Sequence, residues 1–138
     1  MSSISEVMTP DPVCLDKDAS VRDAARAMRD EHIGNVVITS GERVYGILTD
    51  RDIVVRCLAE EADVDSCTCG KVCSADIVTV APSASLEEAV QLMRDRAVRR
   101  LIVAEGDRPV GVVSLGDLAQ ERDPRSALGD ISAAPPNA

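Results

Sequence analysis

The chain repeats itself after 65 residues, and this duplication constrains its fold more than any other feature of the sequence. Thirteen of 48 positions are identical when residues 7–54 are aligned without a gap on residues 72–119. Each copy has the apolar and turn pattern of a β-α-β-β-α unit, and two copies are too few for a solenoid. We therefore predict a mixed α/β (α+β) fold in which two pseudo-symmetric repeats pack into one module and share a core.

The duplication also predicts the domain boundaries. Repeat 1 covers residues 3–59, an acidic linker covers 60–70, repeat 2 covers 71–122, and a flexible tail covers 123–138. We expect the linker to be solvated, because it has no apolar period and carries Glu60, Glu61, Asp63 and Asp65. The tail is rich in proline and poor in apolar residues, so its end should be mobile.

One helix in each repeat shows an apolar stripe at the spacing of an amphipathic helix. The stripe consists of Val21, Ala24, Ala25 and Met28 in repeat 1, and it returns as Leu86, Ala89, Val90 and Met93 in repeat 2. A second helix should follow Thr49, with Ile53, Val54 and Leu58 as its apolar residues.

A hydroxyl residue followed three positions later by aspartate occurs where the last strand of each repeat runs into a helix. The pairs are Thr49 with Asp52 and Ser114 with Asp117. This pattern is typical of a capping box, in which the hydroxyl and carboxylate satisfy backbone amides of the first turn. The same junction, with free amides and a positive dipole end, also suits an anion such as phosphate. Both interpretations stay open, and they are compatible with each other.

Composition and charge exclude several classes of protein. A net charge of -9, a single tyrosine and no phenylalanine or tryptophan argue against nucleic-acid binding by basic patches or aromatic stacking. No apolar run has the length of a membrane span, and the N-terminus lacks a signal pattern. Five cysteines, an odd number, argue against a secreted disulfide scaffold. We expect a cytoplasmic protein that contacts neither nucleic acid nor membrane.

Four of the cysteines lie close together in the sequence. Cys57, Cys67, Cys69 and Cys73 have the number of thiols that a tetrahedral zinc site needs, although their spacing fits no paired Cys-x-x-Cys pattern. Cys73 aligns with Met8, which favours apolar packing. The single histidine, His32, has no partner in the sequence and should contact a helix C-terminus. No nucleophile, base and orienting residue form a set, so we expect no enzyme activity.

The chain resembles a tandem cystathionine-β-synthase (CBS) domain pair, a Bateman module, over residues 3–122. The resemblance lies in the duplication, in the Gly-x-x-Thr/Ser-x-x-Asp junctions starting at Gly46 and Gly111, and in the opening Val7-Met8-Thr9-Pro10. It is strongest to the small stand-alone bacterial members, of the hypoxic response protein type. The resemblance implies two clefts that bind adenosine compounds such as AMP, ADP, ATP, NAD or S-adenosylmethionine, and a homodimer.

The resemblance also assigns residues to the expected ligand. It implies that Thr49 and Ser114 contact phosphate or ribose and that Asp52 and Asp117 accept the ribose hydroxyls. Backbone groups of the first strands would read the base, at Cys14, Leu15, Thr79 and Val80. Arg99 and Arg100 of repeat 2 match the basic pair of the family and would neutralise phosphate. Repeat 1 has Gly34 and Asn35 there, so the two sites should differ, and the site with Ser114 and Asp117 should be the better one.

We therefore expect a non-enzymatic sensor that needs no cofactor, binds an adenosine ligand and signals to an effector protein by a population shift. Two alternatives remain open. One is a redox-responsive or zinc-responsive protein that works through the four clustered cysteines, and the other is a CBS scaffold with vestigial clefts.

Overall fold

The computed structural model describes residues 3–122, and the predicted tail over 123–138 lies outside them. Strands and helices alternate along both repeats. In chain order the elements are α1 (Ile4–Val7), β1 (Thr9–Pro10), β2 (Cys14–Asp16), α2 (Val21–Glu31), β3 (Asn35–Ser40), β4 (Arg43–Thr49), α3 (Asp50–Asp52), a π-helix (Ile53–Leu58), α4 (Cys69–Val72), β5 (Thr79–Val80), α5 (Leu86–Arg96), β6 (Arg100–Glu105), β7 (Arg108–Ser114) and α6 (Leu115–Arg122). The mixed α/β fold predicted from the duplication is confirmed.

The two long helices begin at equivalent serines. The hydroxyls of Ser20 and Ser85 accept hydrogen bonds from the backbone amides three residues later, which caps α2 and α5. Val21, Ala24 and Met28 are buried as predicted, whereas Ala25 is exposed. Ala25 therefore does not belong to the buried stripe. The buried face of α2 is narrow and contains only residues at positions i, i+3 and i+7.

Each repeat contains one antiparallel hairpin that is extended by a short parallel strand. The hairpin β3–β4 turns at Gly41 and the hairpin β6–β7 turns at Gly106, and both glycines have a positive φ, of 66° and 62°. The sheet orders are β2-β3-β4 and β1-β7-β6-β5. The strands β2 and β5 lie at sheet edges, parallel to β3 and β6.

The chain forms two compact units that do not coincide with the contiguous repeats. The first-repeat unit contains residues 12–77, and the second-repeat unit contains residues 3–11 together with residues 78–122. In the second-repeat unit the amide of Ile4 donates to the carbonyl of Ala84 at 2.9 Å. In the first-repeat unit the amide of Cys69 donates to the carbonyl of Ala19 at 2.8 Å. This is the equivalent bond, because Cys69 aligns with Ile4 and Ala19 aligns with Ala84. The segment before each repeat thus completes the unit built on the other repeat.

Each unit has its own apolar core between helix and sheet. Val36, Ile38 and Leu48 form the sheet side in the first-repeat unit, and Leu101, Val103 and Val113 form it in the second-repeat unit. Alternating strand residues point to this core, as expected for strands that bury one face on a helix. Within the described residues, no helix has the length and apolar content needed to cross a membrane.

The helix that follows Thr49 buries only some of its apolar residues. It winds as a π-helix from Ile53 to Leu58, and Ile53 and Cys57 are its buried residues. Val54 and Leu58 have exposed fractions of 55% and 54%. The wider turn of a π-helix changes which side chains share a face, and this change cannot be read from an apolar pattern.

The linker over 60–70 is only partly solvated. Its acidic residues Glu60, Glu61, Asp63 and Asp65 are exposed. The residues between them are not, because Ala62, Val64 and Cys67 pack against the core of the first-repeat unit. An ion pair between Arg22 and Asp65 holds the segment to α2. The linker is therefore a folded part of this unit.

Candidate functional site

Both hydroxyl and aspartate pairs form complete capping boxes. The amide of Asp52 donates to the Thr49 hydroxyl at 3.1 Å, and the amide of Thr49 donates to Oδ2 of Asp52 at 2.9 Å. Ser114 and Asp117 make the same two bonds, at 3.1 and 2.9 Å. Each box uses one carboxylate oxygen and one lone pair of the hydroxyl, which leaves the second carboxylate oxygen and the hydroxyl proton for other partners.

The residues before the first hairpin strand lie beside these boxes. Asn35 is the register partner of Thr49, and Arg100 is the register partner of Ser114. The carbonyl of Arg99 accepts a hydrogen bond from the amide of Leu115 at 2.8 Å, so the backbone of the arginine pair is fixed to the start of α6. The structure therefore brings together Arg99, Arg100, Ser114 and Asp117, which are far apart in the sequence.

The corresponding end of the first-repeat unit carries different charged residues. Gly34 and Asn35 replace the two arginines, and the Asp50 amide donates to the Gly34 carbonyl at 3.0 Å. The Asp50 carboxylate lies directly over Gly34, 3.4 Å from the point where a side chain would begin. Leu115 occupies the position of Asp50 in the second-repeat unit. The first junction therefore has a carboxylate that the second lacks, and the second has an exposed arginine pair that the first lacks.

The two box aspartates also differ in their further partners. Nε of Arg56 lies 3.8 Å from Oδ1 of Asp52, and Nη1 of Arg56 donates to the carbonyls of Val72 and Cys73 at 3.4 and 3.3 Å. Glu121 occupies the position of Arg56 in the second-repeat unit and supplies no positive charge to Asp117. Arg56 could be found from the sequence only by extending the repeat alignment beyond residue 54. The aligned residue in repeat 2 is then Glu121, which has the opposite charge.

The first-strand residues of the predicted site lie at the sheet edges. Cys14 and Thr79 are exposed, whereas the side chains of Leu15 and Val80 pack in the apolar cores. The carbonyls of Val13 and Val78 accept hydrogen bonds from β3 and β6, at 2.9 and 3.2 Å. Because backbone groups of a strand point alternately to its two sides, those of Cys14 and Thr79 face the edge. Cys14 and Thr79 therefore have backbone groups directed away from the sheet, while Leu15 and Val80 pack in the cores beneath.

The clustered cysteines line the core of the first-repeat unit. Cys57, Cys69 and Cys73 are buried and Cys67 is half-buried. Burial raises the pKa of Cys57 and Cys73, and it raises the pKa of Cys69 to about 11, so these side chains remain neutral thiols at pH 7. Within residues 3–122, no three His, Cys, Asp or Glu side chains converge in a way that could hold a metal ion.

Comparison with known families and sequences gives consistent results. The model of the CBS domain matches residues 4–58 and again residues 69–123. The chain is 34% identical over 136 residues to the CBS domain-containing protein YhcV of Bacillus subtilis, covering 96% of both chains. It is 33% identical over 121 residues to hypoxic response protein 1 of Mycobacterium tuberculosis, covering 87% of this chain and 85% of that protein.

Solved structures match the same fold. A crystal structure of hypoxic response protein I with two coordinated zinc ions is 33% identical, with a TM-score of 0.77 over 88% of this chain and 99% of that one. A protein with CBS domains from Burkholderia ambifaria is 24% identical, with a TM-score of 0.79 over 91% of this chain and 96% of that one. At that identity the second likeness concerns the fold alone.

Proposed function

The chain belongs to the CBS domain family as a tandem pair of repeats, and on this basis we propose that it is a non-catalytic regulatory module that binds an adenosine-containing ligand. The ligand class consists of AMP, ADP, ATP, NAD and S-adenosylmethionine. Binding would change the population of module conformations, and an effector protein would respond to that change. No cofactor is needed for this activity.

One observation carries the proposal: Arg99 and Arg100 lie beside the capping box of Ser114 and Asp117. A carboxylate can accept hydrogen bonds from both hydroxyls of a ribose, and Oδ2 of Asp117 is held in place by the Ser114 amide at 2.9 Å. The exposed arginines supply the positive charge that a phosphate needs in a protein of net charge -9. The site therefore combines groups for a diol and for an anion.

We propose that the junction of Ser114 and Asp117 in the second-repeat unit is the stronger ligand site. The junction of Thr49 and Asp52 in the first-repeat unit would be the weaker one. Asp52 is already paired with Arg56, and Asp50 adds negative charge beside Thr49. The Asp50 carboxylate repels a phosphate, and the ion pair with Arg56 competes with the ribose hydroxyls for the Asp52 carboxylate.

The test compares two aspartates that make the same capping box. Asp117→Ala should weaken binding of the tightest adenosine ligand about 10- to 150-fold, which corresponds to about 1.5–3 kcal/mol for a lost hydrogen bond to a charged group. Asp52→Ala removes an equivalent box and should change the affinity less than about threefold. The dissociation constant is measured by calorimetry. Equal losses in both variants, or none in Asp117→Ala, would remove Asp117 from the ligand site.

A second copy of the chain is the proposed partner in self-association. Three apolar side chains on the π-helix are exposed, namely Val54, Val55 and Leu58. Neighbouring exposed apolar residues of this kind are typical of a protein interface. The equivalent residues of Val54 and Val55 are Ala119 and Gln120, so the patch is specific to the first-repeat unit. A homodimer would cover the patch with its own copy, as an isologous interface does.

A further inference from the structure

Two of the four clustered cysteines are explained by apolar packing. Cys69 is equivalent to Ile4 and Cys73 to Met8 in the duplication. Cys69 and Ile4 are both completely buried, each in the core of its own unit. A thiol can replace an aliphatic side chain at such a position without any chemical role. The counterparts of Cys57 and Cys67 in the duplication are the polar residues Arg122 and Ser2.

Cys57 and Cys67 are neighbours at the two ends of one folded loop. The Ala62 amide donates to the Cys57 carbonyl at 3.0 Å, and the Cys67 amide donates to the Asp63 carbonyl at 2.8 Å. Both side chains contact the same apolar core, and Sγ of Cys57 donates to the Ala62 carbonyl at 3.8 Å. The pKa of the Cys57 thiol is raised by burial and next by the neighbouring Cys67. The backbone of Cys67 is further fixed by a bond of 2.9 Å from the Val21 amide to its carbonyl.

The two thiols differ in their access to solvent. Cys57 is completely buried at the end of the π-helix, whereas Cys67 is half-buried in the loop. A reagent from solution can therefore react with Cys67 first. Cys57 is protected from the reagent, and it lies at the other end of the same loop. This arrangement of an accessible thiol in front of a protected one is typical of a pair that resolves a mixed disulfide internally.

We propose that Cys57 and Cys67 form a reversible intramolecular disulfide by exchange with a small-molecule disulfide. The inference goes beyond ligand binding and does not depend on it. The oxidant class is a low-molecular-weight disulfide of the glutathione type, and the two protein thiols are the groups that become oxidised.

The exchange proceeds in two balanced steps. The Cys67 thiol loses its proton and its sulfur attacks one sulfur of the small disulfide, which breaks that bond and releases one small thiolate. The Cys57 thiol then loses its proton and attacks the Cys67 sulfur, which forms the protein bond and releases the second small thiolate. Both thiolates take up the two protons. One small disulfide is reduced to two thiols while two protein thiols become one disulfide.

The order of the steps follows from the surroundings of the sulfurs. Burial, and next the neighbouring Cys67, raise the pKa of the Cys57 thiol, so it is a poor first nucleophile in solution. Once Cys67 carries the mixed disulfide, the attack by Cys57 is intramolecular, and the short distance offsets the low thiolate population.

The experiment treats the reduced protein with oxidised glutathione and follows it by mass spectrometry with peptide mapping. In the wild type, peptide mapping should show a bond between Cys57 and Cys67, with the loss of two hydrogen atoms from the linked peptides and no glutathione retained on either residue. Cys57→Ala should instead keep one glutathione on Cys67. Cys14→Ser, which removes an exposed cysteine outside the pair, should behave as the wild type does at Cys57 and Cys67.

Cys67→Ser keeps the test decisive if Cys57→Ala does not fold, because position 67 is half-buried and tolerates a hydroxyl. This variant should leave Cys57 reduced under conditions that oxidise the wild type. A stable glutathione adduct on Cys67 of the wild type, a bond from Cys67 to Cys69, or a bond between two chains would overturn the proposal.

Discussion

At the scale of single residues, equivalent positions of the two repeats have different electrostatic neighbours. Asp52 and Asp117 make the same capping box, yet Arg56 pairs with the first and Glu121 occupies the corresponding place near the second. The charged Asp50 of the first junction is also replaced, by the apolar Leu115, at the second. A duplicated fold therefore supplies two similar backbones, and a few charged side chains give the two junctions different electrostatic surroundings.

The residues that end α2 and α5 provide a prediction about stability. His32 and Ala97 have left-handed backbone conformations, with φ of 55° and 54°. A residue with a Cβ is strained there, so Ala97→Gly should raise the free energy of unfolding by about 1 kcal/mol. The same substitution at exposed Ala25, inside α2, should lower it by about 1 kcal/mol. Urea unfolding measures both, and a loss of stability in both variants would refute this explanation.

The buried thiol of Cys69 provides a prediction about pH. Its pKa is raised by burial from 9.0 to about 11, so the unfolded chain loses this proton at lower pH than the folded protein. The stabilisation is complete below pH 9 and is lost as the pH rises to 11, by about 2–3 kcal/mol. Urea unfolding at pH 8 and at higher pH values should show this decline. Cys69→Ala should decline less steeply, and an unchanged slope would contradict the assignment.

At the scale of elements, short segments far apart in the sequence complete each sheet. Ile47 forms an isolated antiparallel bridge with Ser74, and β1 pairs with β7 at Thr9 and Val112. Gly46 and Gly111 are the equivalent residues beside these contacts, and the absence of a side chain lets the backbones approach closely. The exchanged segments are therefore structural parts of the units to which they bind.

A substitution at Gly46 tests whether the close contact with the backbone at Ser74 requires glycine. A Cβ at Gly46 would lie 2.5 Å from the carbonyl oxygen of Ser74 and 2.9 Å from the Cys73 sulfur. Gly46→Ala should therefore lower the free energy of unfolding by about 1–3 kcal/mol, because the backbone must shift. Gly34→Ala is the control, since its nearest contact would be an ordinary 3.4 Å. A difference below about 0.5 kcal/mol between the variants would show that the segment moves away freely.

The elements could be predicted where the signal was local, and not where it depended on packing. Ser20 and Ser85 cap the two long helices and Gly41 and Gly106 lie in the hairpin turns, so these boundaries follow from local residue types. The exposure of Val54 and Leu58 does not follow from the sequence, because the π-helix changes the face that an α-helical period assigns. The pairing of Arg56 with Asp52 was missed since it also involves the Val72 and Cys73 carbonyls of a later segment. The predicted ligand contacts remain predictions.

At the scale of the whole molecule, the chain is a tandem CBS pair whose proposed output is association and signalling. The exposed residues of the π-helix give a test of the proposed homodimer. The wild type should sediment as a dimer and Leu58→Glu as a monomer, because a dimer interface would bury that charge without a partner. Ala25→Glu places the same charge on the exposed side of α2 and should not alter the mass. Sedimentation equilibrium decides between the states, and a Leu58→Glu dimer would place the interface elsewhere.

Calorimetry on the reduced wild-type protein tests whether this chain binds an adenosine-containing ligand, as proposed above. The measurement titrates AMP, ADP, ATP, NAD and S-adenosylmethionine separately at one fixed salt concentration. We predict saturable binding of at least one of them, tighter than about 1 mM or about -4 kcal/mol. The absence of saturable binding by all five would contradict the claim and leave the two boxes as helix caps.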